Sequence, residues 1–266
     1  MPNAELRREI LRIANLTKEG HVPSSFSVLD ILVSLFGGET SRGILKHDPK
    51  NPKDPARDRF ILSKGHAALG YYAVLAHAGY FDMESLYESS GFCQPGSIYE
   101  GHPNTKIPGV EVNTGSLGHG LPMAVGTALA LKIKHLQPPR VFCLVGDGEL
   151  SEGSCWESVI LAAHLKLDNL VVIVDANQSN PVKIGFSERQ SIDEVFRVFG
   201  WWSYENHWYL DFRIPQESQK DSGRPLVVVC HTKKGHGCKP MEDAPEMWHH
   251  RIISDEELPA LLAAIT

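Results

Sequence analysis

The chain has 266 residues, 42% of them hydrophobic, enough to bury one sizeable core, so a single domain over 1–266 is expected. Its formal net charge of −6 is spread along the chain rather than blocked, which argues against a nucleic-acid surface and against a polybasic membrane anchor. Five cysteines, Cys93, Cys143, Cys155, Cys230 and Cys238, form no C-x-x-C pair and suit neither a disulfide framework nor a zinc cluster; they read as reduced, mostly buried thiols of a cytoplasmic, soluble protein.

In chain order, the first 18 residues mix Glu5, Arg7, Arg8, Glu9 and Arg12 with aliphatics, which is neither a signal peptide nor a transmembrane span. Apolar residues at helical spacing predict helices over 4–15, 28–36, 66–78, 117–134 and 155–165. Between and after them, β-branched runs at 140–145 (RVFCLV), 169–174 (NLVVIV) and 225–230 (PLVVVC) predict strands. Such near-continuous apolar strands belong to a parallel sheet with helices on both faces, so the fold class is α/β. Thirteen histidines are many for this length, and several adjoin glycine: Gly20-His21, Gly65-His66, Gly101-His102, Gly118-His119-Gly120 and Gly235-His236. Any one of them reads as a surface turn; their recurrence points to a shared site.

Ligands of parallel sheets bind outside the carboxyl ends of the strands. There, Val145 is followed by Gly146-Asp147-Gly148, and Val174 by Asp175-Ala176-Asn177. Asp147 and Asn177 are separated by one strand-helix-strand unit, which places both at one sheet edge. An Asp and an Asn oxygen with a nearby backbone carbonyl make a hard oxygen site for Mg2+ or Ca2+ that leaves room for diphosphate oxygens. The flanking glycines allow close approach, and the following helix offers amides to an anion. Taken alone, Gly-Asp-Gly is also a common turn.

The stretch 146–177, GDGELSEGSCWESVILAAHLKLDNLVVIVDAN, resembles the thiamine-diphosphate motif that opens on Gly-Asp-Gly and closes on Asn, and its Glu149-Leu150-Ser151-Glu152-Gly153 continuation resembles the transketolase family in particular. Further segments follow in family order: Gly20-His21 with Ser27 and Asp30-Ile31-Leu32; Leu62-Ser63-Lys64-Gly65-His66-Ala67; Gly101-His102-Pro103; Thr114-Gly115-Ser116-Leu117-Gly118-His119-Gly120; and Lys234-Gly235 with Met241-Glu242 and Trp248-His249. The resemblance implies a fold that binds thiamine diphosphate. It implies Asp147, Asn177 and the main-chain carbonyl of Ser179 as ligands of the divalent metal, and Gly146, Asp147 and Gly148 along the cofactor's phosphates. By the same resemblance His66, Gly148 and His249 face the diphosphate, and the Gly115-Ser116-Leu117 turn contacts the aminopyrimidine. His21, His66, His102 and His249 converge on the reactive carbon and the sugar, a task that suits imidazole near neutral pH. Glu152, counted with the cofactor site, and Glu157 face a partner subunit; read by themselves, the two are a solvated acidic helix face.

Transketolases carry a further pyrimidine-binding domain with the glutamate that activates the cofactor, and by the resemblance that glutamate is expected on another chain. The expectation is therefore a two-component enzyme: an amino-terminal subunit, active only with a carboxyl-terminal partner subunit in an α2β2 heterotetramer, transferring a two-carbon ketol unit from a small-molecule ketose donor. The alternatives are a thiamine-dependent component taking a 2-oxo acid donor, or a non-catalytic regulatory subunit. Four departures from the family bear on substrate choice: Val22-Pro23-Ser24-Ser25-Phe26 in place of a glycine-rich turn, His119 in place of glutamine, His250 in place of glycine, and a shortened segment at 201–221.

Overall fold

The structure is a computed structural model that describes residues 3–38, 41–135, 137–177, 191–207, 214 and 223–266. In chain order its elements are α1 (Asn3–Thr17), α2 (Val22–Phe36), β1 (Gly37–Gly38), β2 (Ser41–Arg42), β3 (Arg59–Leu62), α3 (Ala68–His77), α4 (Gly120–Lys134), β4 (Val141–Gly146), α5 (Gly153–His164), β5 (Leu170–Ala176), α6 (Ile192–Val198), β6 (Trp202–His207), β7 (Leu226–His231), α7 (Lys239–Asp243) and α8 (Leu258–Ala263). They form two compact units, one of residues 1–54, 65–115 and 233–266, the other of 55–64 and 116–232.

The second unit is built on a five-stranded sheet in the order β3-β4-β5-β7-β6, parallel throughout. All six residues of β4 and all seven of β5 are buried. Both faces of these strands are therefore covered, and each Val, Leu or Ile withdrawn from water contributes roughly 1.5–3 kcal/mol, which is why they read as unbroken apolar runs rather than alternating ones. Three strands lie within two residues of their predicted limits. β3 and β6 escape the apolar-run criterion: β3 is only four residues long, and β6, WSYENH, is an edge strand with a polar sequence. At the head of α4, a Cβ on Gly120 would lie 2.4 Å from Ser63 Oγ, so only glycine lets this helix start against the end of β3.

The first unit is helical, with the two-residue β1–β2 ribbon beside it. Its α2 is buried on nearly every side, as its apolar sequence requires. The helix begins at Val22, six residues before the predicted start, so Val22-Pro23-Ser24-Ser25-Phe26 forms its first turns. Pro23 is tolerated there because the first helical amides have no acceptor within the helix. The amides of Ser24 and Ser25 donate to the His21 carbonyl at 3.1 and 3.0 Å. The small Ser25 also meets α3 at Gly70, whose amide donates to Ser25 Oγ at 3.1 Å and where a Cβ would lie 2.9 Å from Ser25 Cβ. Buried Asp30 accepts hydrogen bonds from Arg7 and Asn3, which tie α2 to α1.

Candidate functional site

In the second unit, β4 and β5 end side by side: Gly146 is paired with Asp175, and the Asp147 amide donates to the Asp175 carbonyl at 3.2 Å. The register thus brings Asp147 and Asn177 to one edge of the sheet. Asp147 leads a one-turn 3-10 helix, Gly148–Ser151, and its carboxylate accepts from the Gly148 amide at 2.8 Å. The turn separates Asp147 from α5, so the amides nearest to it belong to the turn and not, as the sequence implied, to a long helix. Asn177 Nδ2 donates to Asp175 Oδ2 at 2.7 Å. That bond fixes the amide and turns its carbonyl oxygen away from Asp175. Ser179, the third expected metal ligand, lies outside the described residues. Among the described residues no three His, Cys, Asp or Glu side chains gather as a metal centre, and an Asp and Asn oxygen pair suits a hard ion that takes its other ligands from backbone, water or phosphate.

Behind this edge stands a charged layer that the sequence motifs contained but that received no role. Lys64, just past β3, is paired with Asp175 across the end of β4, and both are buried. Thr232 donates to the other Asp175 oxygen. Glu149 is also buried, accepting from Ser63 Oγ and from the amides of Gly118 and Gly146 at 2.9 and 3.2 Å. Burial pushes its carboxyl above the usual carboxylate range against these hydrogen bonds. The signal that could have found these residues is a charge closing an apolar strand: Lys64 after RFILS and Asp175 after NLVVIV. Glu152 and Glu157 are exposed, at the head and along the outer side of α5, and Ser116 and Leu117 are exposed ahead of α4.

In the first unit, the turn between α1 and α2 delivers His21. Its ring lies 5.5 Å from that of His66, 5.8 Å from His249 and 4.5 Å from His250, centroid to centroid. His66 stands in the 3-10 turn Gly65–Ala67 ahead of α3. A Cβ on Gly65 would lie 3.0 Å from the Gly115 amide, so the two motif segments touch backbone to backbone. A Cβ on Gly115 would meet the His102 ring at 3.2 Å, and the His102 carbonyl accepts from Tyr72 Oη at 2.7 Å. Lys234, buried and unassigned from sequence, donates to His249 Nδ1 at 2.8 Å. An ammonium has no acceptor to offer, so His249 is held in the tautomer that carries its proton on Nε2. Burial, then the charges of His250, His249, His102 and Lys234, lowers the His21 pKa to about 4. Burial and Lys234 lower that of His249 as well. Imidazoles kept neutral in this way each offer one N–H donor and one acceptor nitrogen for hydrogen bonds.

His119 is exposed, its Nδ1 facing the Leu117 carbonyl at 3.1 Å. The shortened 201–221 segment is described only at 201–207 and 214, and residues 202–207 form β6.

The family described as "Transketolase, thiamine diphosphate binding domain" matches residues 6–263. One of the subunits of apulose-4-phosphate transketolase from Actinobacillus succinogenes is 40% identical over 268 residues, covering 97% of this chain and 92% of that protein. The 6-deoxy-6-sulfo-D-fructose transketolase subunit SqwG of Clostridium sp. (strain MSTE9) is 32% identical over 252 residues, covering 92% and 88%. The crystal structure of transketolase from Campylobacter jejuni superposes with a TM-score of 0.83 at 30% identity, covering 98% of this chain. Against that solved transketolase the chain spans only 42% of the length. All three are transketolases, which removes the ground for the 2-oxo acid alternative. With a domain match across both units and a relative of near-equal length at 40% identity, the chain belongs to the transketolase family, through its thiamine-diphosphate-binding domain.

Proposed function

We propose that this chain is the cofactor-binding, amino-terminal subunit of a two-component transketolase, a transferase that moves a two-carbon ketol unit from a ketose donor to an aldehyde or specialised acceptor and is active only with a partner subunit. The single observation that supports it most is the sheet edge, where the β4–β5 register brings Asp147 and an Asn177 amide held by Asp175 to the same end of neighbouring strands. In this reading Asp147, Asn177 and the Ser179 carbonyl hold Mg2+ or Ca2+, Gly146 and Gly148 border the diphosphate, and Gly115, Ser116 and Leu117 border the aminopyrimidine. His21, His66, His102 and His249 work on the sugar. Lys234 keeps His249 a donor through Nε2, and His21, neutral at physiological pH, offers one N–H donor and one acceptor nitrogen to the substrate's oxygens. Thiamine diphosphate, when bound, supplies the nucleophilic carbon and the electron sink; the protein supplies orientation and proton carriers.

The partner is the pyrimidine-binding subunit, and α2β2 is the symmetric assembly. Glu152 and Glu157 on exposed α5 face it. The two relatives are named for different sugars, so the donor is assigned here only as a ketose. A single functional domain over 1–266 is part of the reading, supported by one family match across both units. A cytoplasmic location is part of it too, supported by five cysteines that are all free thiols. Among the described residues no helix is long and apolar enough to cross a membrane.

The test is reconstitution with the proposed carboxyl-terminal partner subunit, assayed with a ketose phosphate and with pyruvate as donors. Two-carbon transfer from the ketose alone is expected. Turnover of pyruvate in its place overturns the assignment.

A further inference from the structure

Lys234 belongs to a short turn, 233–237, that is held from several directions. The His236 amide donates to the Lys233 carbonyl at 3.1 Å, and the Gly235 amide to the Pro23 carbonyl of α2 at 3.0 Å. Glu242 of α7 accepts from the Gly237 amide at 2.9 Å and from the Lys233 ammonium at 3.0 Å. A third anchor comes from the other end of the chain. Arg7 of α1, buried, donates Nε to the His236 carbonyl at 2.8 Å and Nη2 to Asp30. Gly237, with φ of 80°, makes room for it: a Cβ there would lie 2.5 Å from Arg7 Nε. To tie α1 to α2 the pairing of a cation with Asp30 is sufficient, and a lysine would serve. The Nε bond is what a guanidinium adds, because its planar fork, once fixed at Nη2 by Asp30, fixes the direction of Nε–H as well.

We propose that Arg7 is a positioning residue of the transfer site: through the His236 carbonyl it holds the turn that carries Lys234, and so keeps the Lys234 ammonium on Nδ1 of His249. This rests on the ketol-transfer reading and extends its site to α1. A lysine stem is flexible, so its ammonium is only as well placed as the backbone that bears it. The Lys234–His249 bond is 2.8 Å long, and such a bond is lost beyond about 3.2 Å. A shift of the turn by less than an ångström therefore frees Nδ1. His249 can then carry its proton on Nδ1, which turns Nε2 into an acceptor where the site needs a donor. Asn3 shares Asp30 with Arg7 and belongs to the α1–α2 tie alone.

The experiment follows His249 by imidazole nitrogen NMR in the full chain with thiamine diphosphate and Mg2+, its signals assigned by their loss in His249→Asn. In the parent, Nε2 should carry the proton and Nδ1 none. Arg7→Lys keeps the counter-charge of Asp30 and gives up the fixed Nε donor. The His249 proton should then be shared between the two nitrogens, as in Lys234→Met. The ring should also titrate at higher pH, because the Lys234 charge has receded while His21 and His250 still face it. Asn3→Ala loosens the α1–α2 tie and should leave the signals as in the parent. With the reconstituted pair, kcat should fall about tenfold in Arg7→Lys, the effect of losing one oriented hydrogen bond. Should Arg7→Lys not fold, Arg7→Met combined with Asp30→Asn removes both buried charges and should move the signals in the same way. A parent ring protonated at Nδ1, parent-like signals in a folded Arg7 variant, or an equal change in Asn3→Ala overturns the proposal. Absence of transfer by the parent pair refutes the ketol-transfer reading and leaves the nitrogen signals to decide the role of Arg7.

Discussion

At the scale of single residues, the proposed metal ligands and histidines make separable claims. Asp147→Ala and Asn177→Ala each remove an oxygen from a small, hard ion, so both should weaken metal-dependent binding of thiamine diphosphate by at least about tenfold. Calorimetric titration reads this, and parent-like affinity in two folded variants would remove the assignment. His21→Ala and His102→Ala should keep cofactor and lose about a hundredfold in turnover, the usual worth of a positioned acid or base. His77, at the end of α3, and His135, just past α4, are the controls; equal losses in all four variants would mean that the histidines are not a site.

His21 also has a pH signature. Its folded pKa of about 4 lies below the ordinary 6.5, so between those values the unfolded chain binds a proton that the folded chain refuses. Stability from this group is therefore intact above pH 6.5, falls as the pH drops, and stops changing below about 4. The parent should lose more Tm than His21→Ala between pH 7 and 4.5, and an imidazole signal of His21 that titrates near 6.5 would contradict the burial argument.

At the scale of elements, the Lys64–Asp175 pair bridges the ends of β3 and β5 over the end of β4. Lys64→Met leaves a fully buried carboxylate without its counter-charge, which should cost about 3–5 kcal/mol in urea unfolding. Adding Asp175→Asn removes the stranded charge and should recover part of the loss. A single variant within about 0.5 kcal/mol of the parent would show that Asp175 is satisfied by its other partners, Thr232 and Asn177. Because Asp175 also fixes the Asn177 amide, the same change should weaken metal binding, which couples the frame of the sheet to the proposed site.

At the scale of the whole molecule, isolated chain should show no ketol transfer, and activity should appear on adding the partner. Outer positions of α4 and α5 carry Ile133, Ile160 and Leu161, exposed by 77%, 51% and 47%. Trp156, by contrast, is held inside its own unit: its Nε1 donates to the Leu150 carbonyl at 2.6 Å and its ring packs on Phe196 and Phe199. The aliphatics and not the tryptophan should drive self-association of the orphan chain, so that Ile160→Glu reduces it in light scattering. Robust turnover by the chain alone, with mass spectrometry excluding a co-purified partner, would end the two-component reading.

Local pattern was enough for the sheet's central strands and for the Asp147 to Asn177 spacing, because a strand buried on both faces must be apolar throughout and a crossover unit has a nearly fixed length. It was enough for the family as well, since ordered glycine and histidine motifs record close backbone approaches such as Gly65 on Gly115. The start of α2, the polar edge strand β6 and the roles of Lys64, Glu149 and Lys234 were decided by tertiary structure. Each depends on a partner far along the chain: Gly70 for Ser25, Asp175 for Lys64, Gly118 for Glu149, His249 for Lys234. A buried charge is stable only beside such a partner, and periodicity along a sequence carries no record of which distant residue supplies it.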